Sequence, residues 1–475
     1  MKQKFTKNFF YQFVYQVLIM ALPMVTVPIV SKALGSQGVG IYNYVYSVVS
    51  YFVLVSGLGL ATYGIREIAA VKGDLQQLSE KFWELAIFNV ISTTLTISCY
   101  IVFIFFTHYS FYYLIMGSLL VAVYFDISWF FYGIEDLKSI TLFTIFIKGI
   151  TCVCIFKFIH TLDDLPLYFF IQGFSVLMTN SLLWFFVFRK IRFVKVSLKK
   201  SLQHVVPASI YFIGKSAVIL YTTLNKTLLG VLGNPQMVGI YANSILLIGV
   251  CISLIGVVDT VLLPHMTNLY VQKKKQQMLQ LLQKSISYQL YFSIPMMMGI
   301  TAITPTFVPW FFGKDFLAAN QIIPFLALTV VFQPLGTSIS RQYLIPMNNM
   351  RSYNFSVIFT GCFSFLLNIL LIPRIGLWGA VLSIVLSEMS VMLIRIYYLV
   401  KEEDFSFDYC TLIKLLCSGM LMLGLIQLVT VGFALTPCLT TTFFQVFVGC
   451  FSYMIFTTLL KCNLLFELFY EKAMS

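Results

Sequence analysis

The chain has 475 residues, 59% of them hydrophobic and 10% charged. A soluble domain is roughly a quarter charged, so a water-soluble globule is excluded. The net charge of +13 is scattered over short segments between apolar stretches instead of lying on one basic face. That pattern argues against a nucleic-acid partner and for anionic lipid headgroups and membrane topology. The ten cysteines fall mostly within apolar stretches, and Cys152 and Cys154 lack a CxxC spacing, so they read as small buried hydrophobes.

Apolar stretches of about twenty residues, enough to cross a hydrocarbon core of roughly 30 Å, follow one another along the chain. The first, near 9–32, follows Lys2, Lys4 and Lys7; it is too long for a signal peptide and has no small-residue cleavage site, so it is expected to remain as a span. Pro23 and Pro28 interrupt it, which marks either a gate hinge or passive curvature. Further spans are predicted near 41–62, 84–106, 111–132, 140–160, 166–188, 204–230 and 239–263. Six more are predicted near 284–309, 321–345, 353–373, 378–400, 411–433 and 440–462. The expected fold is an all-α polytopic membrane protein of about fourteen transmembrane helices.

With the N-terminus in the cytoplasm, the loops divide the basic residues unequally. The inner side takes 24 of the 31, while the outer side takes only Lys32, Lys157, Lys226, Lys314 and Arg374. Lys148 and Lys215 fall within spans. A miscounted span would invert the pattern from that point onward, so the asymmetry supports an even number of spans with both termini in the cytoplasm.

An internal repeat is visible. Leu34-Gly35-Ser36-Gln37-Gly38-Val39-Gly40-Ile41-Tyr42-Asn43 matches Leu232-Gly233-Asn234-Pro235-Gln236-Met237-Val238-Gly239-Ile240-Tyr241-Ala242-Asn243, each copy in an outer loop after the first span of a six-helix unit. Six is even, so the two units are parallel repeats related by an axis along the membrane normal, an architecture suited to alternating access. The expected domains are a six-helix bundle at 1–200, a second at 201–402, and two additional helices at 403–475.

A charge at the bilayer centre needs a cavity or a partner. Lys148 and Asp126 lie at similar depth on neighbouring spans; together they read either as a cationic site for phosphate or as a structural ion pair or snorkelling lysine. Lys215, near the midplane and flanked by Ile213, Gly214, Ser216 and Ala217, favours a cavity-facing role toward an anionic phosphate. Glu388 and Asp259, the acids in the spans of the second unit, are candidates for a coupling proton or sodium ion, or else they neutralise a nearby base. Arg66-Glu67 reads as a salt-bridge network that also lines the inner mouth. The histidines lie near span ends without metal spacing. No nucleophile elbow, phosphate loop or paired carboxylates appear, so no catalytic site, metal or cofactor is expected beyond an ion gradient.

These residues resemble the Wzx-type oligosaccharide flippases of the multidrug/oligosaccharidyl-lipid/polysaccharide exporter superfamily. The resemblance runs along the whole chain: Ser31-Lys32-Ala33-Leu34-Gly35, Tyr63-Gly64-Ile65-Arg66-Glu67-Ile68-Ala69, Asp126-Ile127-Ser128-Trp129-Phe130-Phe131-Tyr132-Gly133-Ile134-Glu135, Asn225-Lys226-Thr227-Leu228-Leu229-Gly230, Leu263-Pro264, Phe311-Phe312-Gly313 and Ile372-Pro373-Arg374-Ile375-Gly376-Leu377-Trp378-Gly379-Ala380. The chain departs from the family pattern at Asn225 and His265, where Asp and Arg are common. The resemblance implies a V-shaped bundle pair with a cationic cleft. It also implies a polyprenyl-pyrophosphate-linked glycan as cargo in a bacterial cytoplasmic membrane, with a polysaccharide polymerase and glycosyltransferases as partners. Alternatives are a peptidoglycan-precursor or teichoic-acid lipid flippase, a cation-coupled drug exporter, whose cationic cargo would favour buried acids over buried lysines, and a membrane glycosyltransferase or polymerase, which would carry a large outer loop.

Overall fold

The computed structural model describes residues 2–403 and 405–464, and the side chains of all of them except 2–20, 213–215 and 217–221. No strand occurs among the described residues. In lipid each backbone polar group must be satisfied within its own segment, and the helix does this. The chain separates into two compact units, Met1–Gly230 and Val231–Ser475.

In the first unit, α1 (Lys2–Gly57) passes through Pro23 and Pro28 and leaves helical geometry only at Gly35, with φ 63° and ψ −178°. That backbone region is essentially reserved for glycine, so one residue turns the chain where the hydropathy pattern predicts an outer loop. The first copy of the repeat is therefore a helix break, whereas the second has a short turn through Asn234, which caps the following helix by accepting from Met237 N. A second break at Leu58 and Gly59 separates α1 from α2 (Leu60–Val71). At Gly59, φ is +77° and a Cβ would meet Ala208 O at 2.4 Å, so a side chain is excluded by both conformation and space.

Helix α3 (Leu75–Ile104) starts at Asp74, whose carboxylate accepts from the amides of Gln76 and Gln77. The fourth span is three short helices, α4 (Ser110–Met116), α5 (Ser118–Tyr124) and α6 (Ser128–Gly133). Then follow α7 (Leu137–Phe158), α8 (Leu165–Val187), the short α9 (Leu198–Leu202) and α10 (Val205–Leu232). Their core gathers Tyr63, Ile68, Phe82, Leu85, Trp129, Phe130 and Phe131.

The second unit contains α11 (Pro235–Val271), α12 (Lys275–Phe311), α13 (Ala319–Leu326) and α14 (Thr329–Ile339), which continues into a π-helical turn at Ser340–Leu344. It ends with α15 (Met350–Ile375), α16 (Leu377–Glu402), α17 (Tyr409–Gly432) and α18 (Leu439–Leu459). In lipid, helices associate through small and polar contacts because apolar burial between them has little driving force. Helix α15 follows that rule, burying every fourth residue as Ser352, Ser356, Thr360, Ser364, Asn368 and Ile372. Asn368 Nδ2 donates to Ser383 Oγ at 2.7 Å, and Ser383 Oγ donates back to Ser364 O at 3.1 Å. Close approach is possible because a Cβ at Gly379 would lie 2.6 Å from Ile372 N.

Twelve segments of the described chain are long and apolar enough to cross a membrane. The first of them, Ala21–Val71, continues α1, whose two limbs on either side of Gly35, residues 2–34 and 36–57, are each long enough for one crossing. Counting both limbs and adding the 28-residue α10 gives the fourteen spans of the hydropathy reading. Large apolar side chains such as Phe105, Phe106, Val431 and Phe447 stay exposed, as lipid-facing residues do. Loop charges pair near helix ends, as in Lys72 with Glu135 at 2.7 Å, Lys190 with Asp136 at 2.6 Å and Lys275 with Glu403 at 2.6 Å. Partial burial pushes the Asp136 carboxyl up, and the Lys190 ammonium outweighs it and holds the group below its ordinary value.

Candidate functional site

The break in the fourth span frees backbone carbonyls inside the first unit. Four of them are taken by side-chain donors: Asn180 Nδ2 to Ala122 O at 2.9 Å, Asn89 Nδ2 to Val123 O at 2.7 Å, Trp184 Nε1 to Phe125 O at 3.0 Å and Trp129 Nε1 to Asp126 O at 3.0 Å. An unwound segment at membrane depth persists only with such substitutes or beside water. Asp126 lies in the break, and its Oδ1 accepts from Ser128 N, the first amide of α6, at 2.9 Å.

The break opens onto a cavity of about 360 Å³ lined by Tyr46, Ser50, Asn89, Asp126, Trp129 and Thr223, with Gly57 and Gly59 at the α1–α2 junction. It offers hydroxyls, an amide, a carboxylate and an indole within an apolar wall, the mixture that holds sugars and other polar ligands.

A polar ladder joins α1 to α10 beside it. Thr227 Oγ1 lies 3.0 Å from Tyr51 Oη and donates to Ser47 Oγ at 2.9 Å, while Lys226 Nζ donates to Asn43 Oδ1 at 3.3 Å. Thr223, Lys226 and Thr227 share one helix face, so the Lys226 ammonium is one turn from a cavity-lining residue. Lys226 is thus a half-buried helical residue and not part of the expected outer loop. Its signal was present in the sequence, since position 226 lies inside the predicted seventh span.

At the start of α10, buried His204 links Tyr63 Oη, 2.7 Å from Nδ1, to Glu84 Oε2, 3.2 Å from Nε2, and Glu84 pairs with Lys81 at 2.8 Å. Arg66 is exposed and its Nη1 donates to Tyr211 Oη at 2.6 Å. Apart from the Lys81–Glu84 pair within α3, its partners lie more than a hundred residues apart, so no local pattern announced the cluster.

The other anticipated residues are dispersed. Lys148 is half-buried on α7, and it has no hydrogen bond or ion pair with Asp126 or any other side chain among the described residues. The side chain of Lys215 lies outside the described residues; its backbone is in α10. Glu388 is buried on α16 without a hydrogen-bond partner among the described residues. Arg395, which the loop count puts on the inner side, is in fact buried on the same helix. Its guanidinium donates to Ser356 Oγ at 3.1 Å and Gly336 O at 2.9 Å and faces the Tyr353 ring. Asp259 is fully buried among Gln289, Ser338 and Gln342.

A many-span helical fold with an unwound span beside a polar cavity is an architecture suited to carrying a polar ligand at membrane depth. The chain belongs to the polysaccharide biosynthesis protein family, whose model matches residues 5–270, and to the overlapping lipid II flippase MurJ family, whose model matches residues 167–457. The resemblance to oligosaccharide flippases read from the motifs is thereby borne out. A protein named as an O-antigen transporter in Escherichia coli (strain K12) is 24% identical over 255 residues, covering 50% of this chain and 59% of the relative. A protein named as low-salt glycan biosynthesis flippase Agl15 in Haloferax volcanii is 22% identical over 245 residues, half of each chain. The chain thus spans between half and three-fifths of the length of these relatives. Among solved structures, an inward closed lipid II flippase MurJ matches with TM-score 0.74 at 17% identity, covering 96% of this chain and 100% of that one. An inward-facing multidrug transporter of the MATE family matches with TM-score 0.62 at 16% identity, covering 79% of this chain and 92% of that one. These likenesses establish the fold.

Proposed function

We propose that this protein is a non-catalytic flippase that moves a polyprenyl-pyrophosphate-linked oligosaccharide repeat unit across a bacterial cytoplasmic membrane for cell-surface polysaccharide synthesis. The observation that carries the reading is the cavity at the broken fourth span. Its hydroxyls, the Asn89 amide and the Trp129 ring suit a sugar, and the Lys226 ammonium one turn away suits the pyrophosphate. Lys148, Lys215 and Arg66 complete the cationic set, Asp126 orients the sugar, and Pro23 and Pro28 serve as flexion points of α1. Glu388 and Asp259 are the coupling-ion candidates, for a proton or sodium gradient. Both termini face the cytoplasm, as the basic-loop asymmetry supports, and the polymerase and glycosyltransferases of the same pathway are the expected partners.

A drug exporter for cationic cargo fits less well, because the carboxylate in the cavity wall, Asp126, is engaged by Ser128 N and the ladder beside it carries an ammonium group. The test is deletion of the gene in its own cell, followed by measurement of surface glycan and of the leaflet on which the lipid-linked saccharide resides. The expected outcome is loss of surface glycan with the intermediate retained on the cytoplasmic leaflet. Normal glycan together with intermediate on the outer leaflet would overturn the proposal.

A further inference from the structure

The second unit contains a hydrogen-bond ring that is one proton short. Asp259 Oδ1 lies 2.8 Å from Gln289 Nε2 and 2.7 Å from Ser338 Oγ, and Ser338 Oγ in turn contacts Gln289 Oε1. Three contacts close a triangle, and each needs one hydrogen. The Gln289 amide donates along one edge and accepts along another, while the Ser338 hydroxyl has one hydrogen to give. If Ser338 donates to Gln289, nothing lies between it and Asp259. If the amide is turned over, Ser338 donates to Asp259, and two acceptors then face each other across the Gln289 edge. Either orientation leaves one edge without a hydrogen, and Asp259 alone remains to supply it.

Burial points the same way. Asp259 is fully buried, and its Oδ2 has no partner among the described residues. A carboxylate in that setting would be a fully buried charge with no counter-ion in contact and one oxygen without any hydrogen bond, which is more costly to bury than a neutral acid with one carbonyl-like oxygen unpaired. The surrounding elements offer no counter-ion in contact. Helix α12 supplies Gln289, α14 supplies Ser338, and the π-helical turn supplies Gln342, whose Nε2 donates to Oδ1 at 2.7 Å and to Ser285 Oγ at 2.9 Å. Arg341 is the charged group whose field reaches Asp259, yet its Nη1 donates to Thr260 Oγ1 at 2.9 Å instead. On α16, Arg395 is committed to Ser356 and Gly336. Sodium fits poorly, because a cation needs several converging oxygens and the Gln342 amide N–H already faces Oδ1.

We infer that Asp259, Gln289 and Ser338 form a proton-binding site in which the Asp259 carboxyl is held as the neutral acid. Removing the proton breaks the ring and places a bare charge among α11, α12 and α14, so occupancy is tied to the packing of those three helices. The π-helical turn beside the ring, an irregularity frequent at functional sites, is where that packing yields. The use of this proton to drive transport rests on the flippase reading; the binding site itself does not.

The experiment is infrared difference spectroscopy of the purified full-length protein in lipid nanodiscs at neutral pH, wild type against Asp259→Asn. The expected result is a protonated-carboxyl carbonyl band in the wild type that shifts in heavy water and is missing in the variant. The variant should still fold, with a thermal stability above that of Asp259→Leu, because the asparagine amide keeps part of the ring although no single atom of it can both donate the missing hydrogen and accept from Gln342 Nε2. Asp259→Leu, which removes the ring, should lower thermal stability. A carboxylate band from Asp259 in place of the acid band overturns the proposal, and so does loss of the acid band on adding sodium at constant pH. In cells, Asp259→Asn at normal abundance should lose glycan export; full export would end the coupling role while the spectrum decides the site. Export by the wild type without the acid band sinks this inference alone, whereas the band without any export sinks the flippase reading alone.

Discussion

Lys226→Gln isolates the charge that the flippase reading requires. Glutamine keeps a polar donor one bond shorter than the ammonium, which loosens the 3.3 Å contact to Asn43 Oδ1 but leaves Thr227 bonded to Ser47 and close to Tyr51, so the rest of the α1–α10 ladder should persist. What disappears is the charge-assisted contact to a phosphate in the cavity beside Thr223. Hydrogen bonds to charged groups contribute about 1.5 to 3 kcal/mol, and about 1.4 kcal/mol is a tenfold change in an equilibrium constant. The half-saturating concentration of lipid-linked substrate should therefore rise by roughly 10- to 150-fold, with membrane abundance unchanged. The assay is flipping of a fluorescent polyprenyl-pyrophosphate saccharide in proteoliposomes across a substrate series. Lys226→Arg should retain partial activity, because the charge remains but a rigid fork replaces a mobile point charge. If Lys226→Gln reaches normal abundance and shows the wild-type half-saturation, Lys226 has no electrostatic role and the cavity is not where the pyrophosphate binds.

Lys215→Gln, on the same helix, should reduce surface glycan at normal abundance in a complementation assay, and full export would remove it from the cationic set. Gly379→Val should destabilise the α15–α16 pair by about 1 to 3 kcal/mol through overpacking, because the added Cβ meets the backbone at 2.6 Å and not a movable side chain; an unchanged melting temperature would contradict this packing. Cys438 precedes α18, and the hydroxyls of Thr440 and Thr441 with the Thr441 amide hold its thiol down to about 7. It is therefore expected to be largely thiolate at pH 8 and progressively unreactive as the pH falls below 7. In intact cells an impermeant maleimide should label it from outside with that pH profile, and labelling only after lysis would invert the assigned topology.

Much of this architecture was written in local pattern. The spans are legible because transfer to lipid is a sum over some twenty residues, and the expected orientation, with 24 basic residues assigned to one side, comes from a rule that counts loops. The Asp126-Ile127-Ser128-Trp129 motif was visible as well, and with it the neighbourhood of the cavity. What a window sum conceals is any event of one to three residues. The positive φ of Gly35 and the unwinding at Phe125–Ile127 barely change an average, and each redirects the chain. Whether a polar side chain meets lipid, a cavity or a partner was likewise undecided by sequence. Lys226 becomes part of a ladder because Asn43, 183 residues earlier, comes to rest beside it, and Asp259 takes its partners from 30, 79 and 83 residues away. Hydropathy determines which segments leave water; which polar groups then satisfy one another is a choice among many pairings, and only the packed helices make it.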